Sequence, residues 1–161
     1  MGVDVRRAEP DDLGELFSLQ RAAFVDEAWL YETADVPSLR ETLAEMRDRL
    51  SGSHTLVGVE GSRIVAMVSL RSYRPGGPDI ERLAVAPDRR QTGLASELLA
   101  AAERLASNDG ETSLQLLVGE KATLNRALYE RLGYRETERF PLEAHPDVVL
   151  ISMVKSLPTD P

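Results

Sequence analysis

The chain has 161 residues, with 27 acidic against 19 basic side chains and a formal net charge of −8, a balance that argues against a general nucleic-acid binder. It contains no cysteine, which excludes disulfides and thiolate metal sites and leads us to expect a reducing, cytoplasmic setting. No apolar run approaches the length of a membrane span and no apolar leader opens the chain, so no membrane association is expected.

Val3 and Val5 alternate with Asp4 and Arg6, which predicts a short first strand. Pro10, Asp11 and Asp12 then open a helix, since proline suits a first turn and acids suit its positive end. Leu13, Leu16, Phe17, Gln20, Ala23 and Phe24 carry its spacing. Over 26–37 the period lapses into acids and aromatics (Glu27, Trp29, Tyr31, Glu32, Asp35), and an irregular segment is expected. Ser38-Leu39-Arg40-Glu41 reads as a capping box starting a second helix, with Leu39, Leu43, Met46 and Leu50 as its stripe and Gly52 as its end. Residues 55–59 and 63–71 read as strands joined at Glu60-Gly61-Ser62, and Pro75-Gly76-Gly77-Pro78 marks a further turn.

The central stretch is Leu83-Ala84-Val85-Ala86-Pro87-Asp88-Arg89-Arg90-Gln91-Thr92-Gly93-Leu94-Ala95. An apolar strand runs into a Pro-marked turn and a short Arg/Gly loop. A helix then starts near Gly93, with Leu94, Leu98, Leu99, Ala102 and Leu105 on one face. The first N–H groups of such a helix lack partners within it and sit at the positive dipole end, so an anion is favoured there. Gly93 and Ala95 leave room for a phosphate to approach, and Arg89 and Arg90 can add charge-assisted hydrogen bonds. Strand alternation places Asp79, Glu81, Leu83 and Val85 on one face and Ile80, Arg82 and Ala84 on the other.

Further on, Asn108-Asp109-Gly110 ends the central helix and 113–118 reads as a buried strand. Leu124, Ala127, Leu128 and Leu132 form a helix face closed by Gly133, and 135–140 with 148–154 form a closing antiparallel pair. We expect one domain over 1–155 and a frayed tail over 156–161. Helices alternate with strands only in the middle of the chain, which predicts a mixed sheet. His54 and His145 have no ligand-spaced partners and are not expected to bind metal. Neither a Gly-x-Gly-x-x-Gly after a strand nor a Walker lysine motif is present.

Arg90-x-x-Gly93-x-Ala95, preceded by Leu-Ala-Val and Pro87, resembles the acetyl-CoA signature of the GNAT superfamily of N-acetyltransferases, although many members have Gly where this chain has Gln91. Leu128-Tyr129-Glu130-Arg131-Leu132-Gly133-Tyr134 is similar to the second motif of that family, and the element order agrees along the chain. The resemblance implies a single-domain α/β (α+β) fold, with a central mixed, mostly antiparallel sheet flanked by about four helices. It also implies acetyl-CoA as co-substrate, held by the backbone of Leu83, Ala84 and Val85 and by Arg90, Gln91, Thr92, Gly93, Leu94 and Ala95. Asn125 is a further candidate contact, though the family's commoner Asn falls at Ala122 here.

By the same resemblance Tyr129 is the general acid near the sulfur; its phenol, with an ordinary pKa of about 10, suits that task, and packing alone is the alternative. Glu81 is the first candidate base, acting through water, and Asp79 the second. Glu81 could instead pair with a cation on a neighbouring strand, and an amine arriving neutral needs no base. The implied reaction is direct acetylation of a primary amine, small molecule or peptide, with a CoA-binding module lacking turnover as the alternative and a longer acyl group as a fainter one. Acids around Trp29 and Tyr31 point to a cationic acceptor, against a solvated loop whose Trp29 plugs the core edge. Self-association into a homodimer is left open.

Overall fold

The computed structural model describes residues 2–159. Its sheet has seven strands in the order β1-β2-β3-β4-β5-β7-β6. These are β1 (Asp4–Arg7), β2 (His54–Glu60), β3 (Arg63–Arg71), β4 (Asp79–Val85), β5 (Ser113–Gly119), β6 (Arg135–Pro141) and β7 (Val149–Ser156). Every neighbouring pair is antiparallel except β4 with β5. The helices are α1 (Leu13–Leu30), one-turn α2 (Pro37–Arg40), α3 (Leu43–Ser51), α4 (Leu94–Asn108) and α5 (Thr123–Arg131). The expected mixed, mostly antiparallel fold is therefore present.

The core follows from β3, whose residues from Ile64 to Leu70 are all buried. A strand buried on both faces needs cover on both sides. Helix α1 packs on β3 and β4, and α4 packs on β2, β3 and β4. A side chain at Gly58 would meet Leu98 of α4, which marks the face that α4 covers. Leu94, Leu98, Leu99, Ala102 and Ala106 form the buried stripe of α4. Each buried leucine contributes about 1.5–3 kcal/mol.

Strands β4 and β5 form the opening that matters most. They are joined by only two residue pairs, Asp79↔Gln115 and Ile80↔Leu116. Beyond these, β4 stays on β3 as far as Val85 while β5 stays on β7 as far as Gly119. The inner edges diverge and leave backbone donors and acceptors without strand partners. Ala86 N–H donates to Val65 C=O at 2.8 Å, so alternation turns the polar backbone groups of Val85 toward the opening.

Five details differ from the sequence reading. Helix α1 continues to Leu30, through half of the segment expected to be irregular. Its buried side carries polar Gln20 and half-buried Glu27 in the helical register of Leu16 and Ala23, which hides the apolar period. The capping box is Thr42-x-x-Glu45, with Glu45 N–H to Thr42 Oγ1 and Thr42 N–H to Glu45 Oε1 both at 3.1 Å. Ser38 and Glu41 are buried instead, because Glu41 is the partner of Arg49 and Gln20.

On α5 the buried residue is Tyr129, while Leu124 is 84% exposed and Ala127 is also exposed. The Tyr129 ring packs edge-on to Tyr134, and of the predicted stripe only Leu128 and Leu132 pack against the core. The expected frayed tail is tied down as far as Pro158: Leu157 is buried, its N–H donates to Thr112 C=O at 2.8 Å, and Ser107 Oγ donates to Pro158 C=O. The last two residues lie outside the described ones.

The fifth difference is a bulge in β4. Ser69 faces Glu81 and Met67 faces Ala84, so Arg82 and Leu83 together oppose Val68. Arg82 takes a left-handed φ of 52°. Asp79, Glu81 and Ala84 consequently share one face, and Ile80 and Val85 the other.

Candidate active site

The loop between β4 and α4 carries two left-handed residues, Gln91 (φ 61°) and Gly93 (φ 83°). Gly93 is the N-cap of α4, and an added Cβ there would meet no atom within 4 Å. The described residues do not fill that space. Gln91 carries a side chain where glycine is unstrained, at a backbone cost of about 1–2 kcal/mol that is partly offset by the entropy glycine would lose. Gln91→Gly is therefore expected to raise unfolding free energy by a few tenths to about 1 kcal/mol in a urea titration. A loss of stability would mean that the Gln91 side chain contributes more than its backbone costs.

The first backbone bond of α4 runs from Glu97 N–H to Gly93 C=O at 3.0 Å, leaving the N–H groups of Leu94, Ala95 and Ser96 without helical acceptors. Thr92 Oγ1 donates to Arg89 C=O at 2.6 Å and holds the loop. Both arginines already have partners. Arg89 pairs with Glu60 at 2.6 Å, and Arg90 pairs with Asp26 and donates to Ala23 C=O at 3.1 Å. Arg90 is thus tied to α1, and an anion on the loop competes with Asp26 for it. Asp26→Asn should strengthen coenzyme A binding roughly 1.5- to 5-fold, the worth of an exposed pair. A weaker affinity by calorimetry would instead assign the pair to building the loop.

The candidate bases are both engaged. Glu81 accepts two bonds from Arg71, at 2.8 and 3.0 Å. Asp79 is 1% exposed and accepts two from Arg74 Nε, at 2.8 and 3.0 Å. Burial raises the Asp79 pKa against the opposing pull of Arg74. Sequence reasoning passed over Glu27 as a base: it is half-buried on α1 and has neither an ion pair nor a hydrogen bond among the described residues. Burial raises its pKa, and the nearby Arg82 charge opposes the shift. Its place on the buried helical register was the signal available in the sequence.

Tyr129 is buried, its ring edge-on to Tyr134 with centroids 5.9 Å apart. Burial alone pushes its phenol well above the usual range, so it is protonated at any working pH. Among the described residues, none hydrogen-bonds its hydroxyl. The neighbouring Tyr134 hydroxyl is engaged, donating to Glu103, which also holds Lys155 at 3.0 Å. Asn125 is exposed and makes no side-chain hydrogen bond among the described residues.

Two irregular segments meet beside the cleft. His145, from the turn between β6 and β7, lies 2.9 Å from Asp35, which also holds Arg40 at 3.0 Å. Tyr31, just past α1, reaches across to β5: any side chain at Gly119 would collide with its hydroxyl. Trp29 is 74% exposed and plugs no core edge. Asp26 and Asp35 are both occupied by cations, which leaves Glu27 and Glu32 of the acids counted toward a cationic acceptor. Among the described residues, no group of three or more His, Asp or Glu could hold a metal ion, and no helix is long and apolar enough to cross a membrane.

Residues 15–134 match the family described as "Acetyltransferase (GNAT) family". The chain belongs to the GNAT acetyltransferase family. PaiA N-acetyltransferase from Thermoplasma acidophilum, solved in complex with coenzyme A, shares this GNAT fold with a TM-score of 0.78 at 16% identity, covering 97% of this chain and 99% of that one. For yncA of Salmonella typhimurium, solved with acetyl-CoA, the TM-score is 0.76 at 19% identity, covering 100% and 97%. In sequence, the GNAT chain is 33% identical over 60 residues to aminoglycoside N(6')-acetyltransferase type 1 of Salmonella typhimurium (strain LT2). That match takes in 37% of this chain and 41% of the aminoglycoside enzyme.

Proposed function

We propose that this GNAT chain is an N-acetyltransferase that moves the acetyl group of acetyl-CoA to a primary amine by direct attack. The observation that carries this reading is a juxtaposition. The β4–β5 opening lies beside the unbonded first turn of α4, and a buried phenol with no hydrogen-bond partner among the described residues follows on α5. The N–H groups of Leu94, Ala95 and Ser96 would take a phosphate, and the open space at Gly93 would admit it. The free edge of β4 from Leu83 to Val85 would pair with an amide-bearing arm. Acetyl-CoA supplies the activated acyl group.

In the transfer a C–N bond forms, the C–S bond breaks, the amine loses one proton and the sulfur gains one. Tyr129 would donate its phenol proton toward the sulfur, a task for which a firmly protonated phenol is always in the right state. For the amine proton, half-buried Glu27, which has no partner among the described residues, is the first candidate, and Glu81 and Asp79, held by Arg71 and Arg74, are the others. With no cysteine in the chain, no thiol can carry the acetyl group covalently, which favours a ternary complex. A cytoplasmic setting fits the same composition.

A second reading, a CoA-binding module without turnover, is favoured by the closed ion pairs on Glu81 and Asp79. Following free CoA thiol over a panel of amines separates the two. Amine-dependent release well above the rate in buffer supports the transferase. Tight CoA binding with no release across the panel supports the module.

A further inference from the structure

The bulge in β4 aims Arg82 at a cavity of about 300 Å³ whose walls are Pro37, Arg40, Glu41 and Glu45. That volume is at the small end for ligand sites and suits a molecule the size of an amino acid. Arg82 holds a left-handed backbone (φ 52°), a conformation that costs a non-glycine residue about 1–2 kcal/mol and tends to persist where function needs it. Among the described residues, Arg82 is the only guanidinium off the open surface that has neither an ion pair nor a hydrogen bond, and its Nε is buried without a partner. A buried donor of this kind is stabilised by an acceptor, and a carboxylate matches the guanidinium fork.

The charges nearby are closed off in pairs. Glu41 holds Arg49 at 2.7 Å, Glu81 holds Arg71 at 2.8 Å, and Arg40 holds Asp35 at 3.0 Å. Among the described residues nearby, what stays without an ion pair is one cation, Arg82, and two anions: Glu45 on the cavity wall, whose carboxylate accepts only the Thr42 N–H, and half-buried Glu27 on α1, the helix that packs on β4. An unpaired cation with unpaired acids near it is the complement of a zwitterion. A polycationic amine would instead bring its charge against Arg82 and Arg40.

We propose that the acceptor is a small amino carboxylate, with its carboxylate on the Arg82 guanidinium and its amine toward Glu27. This substrate class rests on the reading of the cleft as an acetyl-transfer site. Burial that raises the Glu27 pKa also makes it a stronger base for an ammonium proton.

The test compares α-, β- and γ-amino acids with their carboxamides, which keep the amine and lose the charge. Calorimetric titration into CoA-saturated protein should show amino acids binding about 10- to 100-fold more tightly than the matching amides, the range for losing a charge-assisted bond at a buried group. Arg82→Gln should remove that preference and Arg82→Lys should restore part of it. Glu27→Gln should weaken acid and amide alike. The comparison on the wild-type chain needs no variant, so a poorly folding Arg82→Gln leaves the test intact. Equal or tighter binding of the amides, or no binding by any amino acid of the set, overturns the proposal. CoA release on the same compounds keeps the two readings apart. A carboxylate preference in binding with no release by any amine sinks the transferase and leaves the Arg82 site. Release as fast with amides as with acids keeps the transferase and overturns the carboxylate site.

Discussion

Gly93→Glu is expected to reduce acetyl-CoA and CoA affinity to below calorimetric detection, while Gly93→Ala keeps measurable binding. The two substitutions share the same backbone cost, because φ is 83° and any side chain there is strained by about 1–2 kcal/mol. They differ in what they place in the loop. An added Cβ meets no protein atom within 4 Å, so alanine has room. Glutamate brings a negative charge and bulk to the spot where the N–H groups of Leu94, Ala95 and Ser96 point outward, and there it acts as a tethered competitor for a phosphate. If both variants lose binding equally, loop conformation and not anion access is the cause. If neither does, the phosphate sits elsewhere.

Tyr129→Phe is expected to lower kcat by about 10²-fold, within the range for a general acid, with CoA affinity almost unchanged. The ring would keep its edge-on contact with Tyr134, so the change isolates the hydroxyl. Among the described residues that hydroxyl has no hydrogen-bond partner to lose, which makes a large stability effect unexpected and a large rate effect diagnostic. A variant with normal kcat would leave Tyr129 as a packing residue. Parallel losses of affinity and turnover would make it a binding contact.

The parts of the fold legible in the sequence were those set by local chemistry. The two-residue Gly61-Ser62 turn puts Glu60 opposite Arg63, as the hairpin signal required, and Gly61 takes the left-handed φ of 63°. The strand, loop and helix start around Gly93 were read from residues whose roles are backbone roles. What escaped was set by partners distant in sequence. Two consecutive capping patterns, Ser38-x-x-Glu41 and Thr42-x-x-Glu45, are equally good locally, and the choice is made by Arg49 and Gln20 claiming Glu41. Helix α1 looked broken because Glu27 replaces an apolar residue on its buried side. Strict alternation in β4 failed at a bulge that no residue type announces, and that bulge took Arg82 from the strand face it was expected to share with Ile80 and Ala84 to the wall of a cavity. Arg90, read as a phosphate ligand, is held by Asp26, sixty-four residues away in the chain.

Backbone amide shifts on titration with CoA test most directly the location and use of the cleft. Large perturbations should fall on Leu83 to Val85, on Gln91 to Ser96, and on the helix carrying Tyr129. The second cavity, of about 280 Å³ beside His54, Asp109 and Glu111, should be silent. Saturable shifts confined to that second cavity, with the amides of 91–96 unmoved, would contradict CoA binding at the β4–α4 turn and the acetyl transfer built on it.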